Sequence, residues 1–124
     1  MRQILAGKAR GHYSPGIVHH RILYVSGQLS IDPETGTRPP GGIEAECRQA
    51  LSNLDTVLKA ANCPRDHVLM CRLYIPDVSH WDEINKIYGE FFGMHKPARV
   101  IVPTGELHHG CLVEIEAMAW IEEE

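Results

Sequence analysis

Apolar residues change their spacing several times along this chain of 124 residues. In "IVHHRILYVS", residues 17–26, β-branched and aromatic residues dominate, which predicts two short strands or one bent hairpin. "DPETGTRPPGG", residues 32–42, is saturated with Pro and Gly and reads as a loop. From Ile43 the period shifts to three and four. Ile43, Cys47, Ala50, Leu51, Leu54, Val57, Leu58 and Ala61 form one apolar face of a long helix, with Asn62 placed to end it.

"HVLMCRLYIP", residues 67–76, is mostly apolar and fits a buried strand. Ser79 stands three before Asp82, the spacing of a capping box. Trp81, Ile84, Tyr88 and Phe91 then predict a second helix to about Phe92, with Gly93 as its cap and Pro97 beyond. "ARVIVP" and "CLVEIEAMAWI" read as the last strands. In the second, Val113, Ile115, Ala117, Ala119 and Ile121 share one face, and Leu112, Glu114, Glu116, Met118 and Trp120 share the other.

The order strands, helix, strand, helix, strand, strand predicts an α+β fold, a mixed sheet with two helices over one face. The length predicts a single domain over residues 1–124. The uncovered face sets glutamates beside Met118 and Trp120. Such a face suits a subunit interface or plain solvation.

Composition narrows the function. Twelve basic and sixteen acidic residues give a net charge of −4, and the basic residues form no stripe, which argues against nucleic acid. No apolar run approaches the roughly 18 residues of a membrane span, and the N-terminus lacks a signal-peptide core. A cytoplasmic protein is expected. Cys47, Cys63, Cys71 and Cys111 are widely spaced without a C-x-x-C, and read as buried thiols.

Candidate chemistry centres on Arg99. It alternates with Ile101 and Pro103 in an otherwise apolar strand. A planar guanidinium there suits bidentate capture of a carboxylate or phosphate. The alternative is a structural ion pair with Glu114 or Glu116 on a neighbouring strand. Those two glutamates are themselves an acid–base pair or a solvated face. His19–His20 and His108–His109 are adjacent pairs, each able to offer one ligand to a given site, so no metal is expected. Ser26 lacks a nucleophile elbow, and Gly27 permits close backbone approach to a ligand.

Taken together, "GHYSPGIVHHRILYVSGQLSIDPETG", "IEAECRQALSNLDTVLKAA", "WDEINKIYGEFFG", "KPAR" and "LVEIEAMA" resemble the Rid family of reactive-intermediate deaminases, also called YjgF/YER057c/UK114. The resemblance spans residues 11–121. It implies a chorismate-mutase-like fold, a homotrimer with clefts between subunits, and hydrolysis of small 2-imino or enamino acids to 2-keto acids and ammonia without a cofactor. Residue by residue, it places carboxylate binding on Arg99 and the attacking water near Glu114. It places the rest of the pocket on Tyr13, Ser26, Gly27, Asn85 and the backbone around Ile101. The cysteine that some members carry two residues after the arginine is Ile101 here, and the usual "GPYSQA" reads "GHYSPG". Two other readings stand beside this one. One is a non-catalytic module binding small carboxylates or keto acids. The other is a deaminase of a larger substrate such as an aminomuconate.

Overall fold

The computed structural model describes residues 1–7 and 10–123. Eight elements follow in order: β1 (Arg2–Ile4), β2 (Gly16–His19), β3 (Ile22–Leu29), α1 (Gly42–Ala60), β4 (Val68–Ile75), α2 (Trp81–Phe92), β5 (Ala98–Pro103) and β6 (Glu114–Trp120). The strands form one mixed sheet in the order β1-β2-β3-β6-β4-β5. β4 and β5 run parallel, as their connection through α2 requires, and the other neighbours are antiparallel.

The run from Ile17 to Ser26 is a hairpin. His20 and Arg21, with φ of 51° and 65°, make its two-residue turn, the left-handed pair that matches strand twist. β3 continues past it, but its pairing with β6 slips between Val25 and Gln28. Ser26 and Gly27 therefore sit in a bulge.

Both helices pack on one face of the sheet. α1 buries Cys47, Ala50, Leu51, Leu54, Val57 and Leu58, the face its spacing predicts, and Asn62 follows it at a φ of 52°. It also buries Glu46 and Asp55, each paired. α2 buries Ile84, Ile87, Tyr88 and Phe92. Its stripe is thus rotated from the expected one: Trp81 is exposed and Phe91 half-buried, its ring stacked against the Arg65 guanidinium at 3.8 Å. The capping box does not form. Asp77 instead caps the short 3-10 turn Val78–His80 that precedes α2, its carboxylate accepting from the Ser79 amide at 2.9 Å.

On β6 the alternation holds along the strand. Ile115, Ala117 and Ala119 are buried under the helices, while Glu114, Glu116, Met118 and Trp120 face the uncovered side. Beside them stand Tyr24, exposed at 45 %, and Arg72, whose Nη1 reaches Glu116 at 3.4 Å. β5 is an edge strand, which accounts for a proline at its end.

Candidate functional site

β5 carries Arg99 at the rim of the sheet. In register, Arg99 lies opposite Cys71, and Cys71 lies opposite Ala117. Cross-strand partners share a face, so Arg99 points to the helix side, toward α2. There Nη1 donates to Asn85 Oδ1 at 2.8 Å, and the guanidinium carbon stands 4.9 Å from the Tyr88 ring centre and 5.5 Å from that of Trp81. These three side chains recur at spacings of four and three on α2, so one helix flank frames the arginine. The guanidinium keeps further N–H donors beyond the one Asn85 takes. It opens on a cleft of about 520 Å³ bordered also by Phe92, His95 and Lys96.

The expected alternative, an ion pair from Arg99 to Glu114 or Glu116, does not occur. β4 lies between β5 and β6, and both glutamates face the other side of the sheet. Among the described residues no carboxylate stands within ion-pair distance of Arg99. Nor is Arg99 in a buried strand, as its apolar neighbours suggested: Ala98 and Val100 are exposed. Ile101, two residues on and on Arg99's face, is partly buried against the core.

A second group gathers at the bulge. Ser26 is fixed by its Oγ donating to the Ser14 carbonyl at 2.5 Å and its amide donating to the Pro15 carbonyl at 3.0 Å. Gly27 then meets Glu114. A Cβ on Gly27 would stand 2.7 Å from Glu114 Oε2, so only glycine leaves room for the carboxylate there. Burial, and then the charge of Glu116, raise Glu114 above the ordinary carboxyl range, against an opposing effect of His108. Tyr13 is 51 % exposed and shares a cavity of about 210 Å³ with Gly27, Arg10 and His109.

The structure therefore brings together Arg99 and Asn85, with Ile101 on the same face, and, at the bulge, Ser26, Gly27 and Glu114, with Tyr13 beside Gly27 in the neighbouring cavity. Within one chain the two groups do not meet. Sequence reasoning did not single out Trp81 and Tyr88 as the frame of Arg99, though their spacing with Asn85 carries that signal. It also passed over Glu46, whose charge on a helix flank reads as solvated.

Thiol chemistry has little footing here. All four cysteines are buried, and burial pushes Cys47 up to about 12 and Cys63 and Cys71 up to about 11.

Residues 3–121 match the family model described as Endoribonuclease L-PSP. A RutC family protein of Pyrococcus horikoshii is 38% identical over 117 residues, 94% of this chain and 93% of that one. The 2-iminobutanoate/2-iminopropanoate deaminase of Rattus norvegicus is 39% identical over 114 residues, 92% of this chain and 83% of the rat protein. The crystal structure of RidA from the Antarctic bacterium Psychrobacter sp. superposes with a TM-score of 0.90 at 30% identity, over 97% of this chain and 100% of that one. A match across nearly the whole length, carried by sequence and backbone alike, makes this chain a member of the Rid, or YjgF, family.

Proposed function

We propose that this protein hydrolyses imines of small 2-amino acids, such as 2-iminobutanoate and 2-iminopropanoate, to 2-keto acids and ammonia. The cleft that does so lies between two copies of the chain in a homotrimer. The observation that carries this reading is Arg99: oriented by Asn85, bordered by aromatic rings, and without a carboxylate partner among the described residues.

In this reading Arg99 takes the substrate carboxylate through charge-assisted hydrogen bonds and so places the C=N carbon. A neighbouring copy supplies Gly27 and Glu114. Water attacks the carbon of the protonated imine, a C–O bond forms, and the π pair passes to nitrogen. Glu114 accepts a proton from the water and returns it to nitrogen. It then takes the remaining hydroxyl proton as the C=O bond forms and the C–N pair leaves with nitrogen, and the departing ammonia carries that proton away as ammonium. A carboxyl whose hold on its proton is strengthened by burial and by Glu116 suits both halves of that exchange. Backbone groups of the edge strand around Ile101 hold the water or the nitrogen. Ser26 and Tyr13 shape the opposite wall.

The rat relative is named for this activity, which supports the chemistry, while the family model's description names an endoribonuclease. RNA cleavage gains nothing from a chain of net charge −4 without a basic stripe.

The test is competition with semicarbazide. An amino-acid oxidase generates the imine of alanine or 2-aminobutyrate in situ, and semicarbazide traps what remains free. The wild type should suppress semicarbazone formation and Arg99→Ala should not. If the wild type matches the enzyme-free control for these imines and for an aminomuconate, the protein is a carboxylate-binding module instead.

A further inference from the structure

Glu46 on α1 is 1% exposed, and four donors converge on it. Its Oε1 accepts from Ser30 Oγ at 2.7 Å and from the Leu112 amide at 3.0 Å. Its Oε2 accepts from Arg38 Nε at 3.0 Å and Nη2 at 2.8 Å. Burial pushes this carboxyl up, but the donors outweigh it and hold Glu46 below its ordinary range, as an ion.

The donors come from three separate segments. Ser30 follows β3, Arg38 belongs to the Pro- and Gly-rich loop, and Leu112 stands two residues before Glu114. Leu112 precedes the β6 ladder, so the carboxylate supplies its amide with a partner. Arg38 reaches further: a Cβ on Gly110 would stand 3.2 Å from its Nη1. One buried carboxylate thus ties the entry to Glu114's strand to α1, with Arg38 packed beside Gly110.

Resting on the deaminase reading above, we infer that Glu46 is a positioning residue: through Leu112 and Arg38 it sets where Glu114 meets the attacking water. Misplacement by an ångström can cost about 10²-fold in rate. The inference concerns geometry at Glu114 alone, since Arg99 lies two strands away on the other face.

The test compares the full-length wild type with Glu46→Ala, Glu46→Gln and Arg38→Met. Two readouts are taken, hydrogen exchange at the Leu112 amide and kcat and KM for imine hydrolysis. In Glu46→Ala the Leu112 amide should exchange at least about tenfold faster, and kcat should fall about tenfold or more with KM within about twofold. Glu46→Gln keeps an acceptor for Leu112 and should restore most of kcat. Unchanged kcat in a folded Glu46→Ala overturns the inference, as does a Gln variant as impaired as the Ala variant in both kcat and KM. If Glu46→Ala fails to fold, Arg38→Met decides, because Arg38 is 41% exposed: kcat should fall at constant KM, and an unchanged kcat overturns the inference. A wild type that turns over no imine sinks the deaminase reading instead, and equal Leu112 exchange in wild type and Glu46→Ala would still sink the clasp.

Discussion

Arg99 and Glu114 leave the same sheet through opposite faces, with β4 running between their strands. The proposed anchor for a carboxylate and the proposed base for water thus belong to two surfaces of one chain. Removing the anchor should cost about 10- to 150-fold in kcat/KM, the roughly 1.5–3 kcal/mol of a charge-assisted hydrogen bond. Steady-state kinetics on Arg99→Ala would check this. Arg99→Lys keeps the charge and loses the fork, and should fall between the two.

Gly27 is needed for space rather than for conformation. Gly27→Ala puts a methyl 2.7 Å from Glu114 Oε2, the far end of a side chain that can swing away. Stability should change by less than about 1 kcal/mol, while kcat falls about tenfold or more as the carboxylate moves. Denaturant melts beside kinetics would separate the two effects. A variant with full activity would remove Glu114 from the place assigned to it.

Glu114 holds its proton more tightly in the fold than in the unfolded chain. Between those two affinities the folded state binds more protons, so its contribution to stability is present at low pH and declines as pH rises through that window. Glu114→Gln removes this penalty. Its melting temperature should equal or exceed that of the wild type at neutral pH, with the difference shrinking toward pH 4, while activity is lost. A Gln variant that melts lower at pH 7 would contradict the assigned environment.

The buried thiols should be silent. Native protein at pH 8 should react slowly with a disulfide reagent, all four cysteines should react after denaturation, and alkylating conditions should leave hydrolysis intact. Fast inactivation would point to a thiol in the chemistry.

Much of the fold was legible because its long elements repeat one pattern. The face of α1 from Cys47 to Leu58 and the alternation of β6 from Glu114 to Trp120 lie as their spacing predicts. β1 escaped notice because three residues are too few to display a period. The α2 stripe was misassigned at both ends, since Trp81 and Phe91 are as apolar as the residues that fill the core. The candidate site residues were named through family resemblance. Their arrangement was not readable, because which strands are neighbours is decided by long-range pairing. Glu114 and Arg99 fit an ion pair until β4 is known to separate them. Glu46 was invisible for a related reason: its donors come from three separate segments, 8, 16 and 66 residues away.

The division of the site between copies is tested most directly by mixing two inactive variants. Arg99→Ala and Glu114→Gln would be unfolded together in equal amounts, refolded, and assayed by semicarbazide competition. If Arg99 of one copy works with Glu114 of its neighbour, random assembly leaves about a quarter of the clefts with both residues intact, and about a quarter of wild-type activity should return. Activity no higher than that of the separate variants, in a mixture confirmed to have exchanged subunits, would contradict a cleft shared between chains.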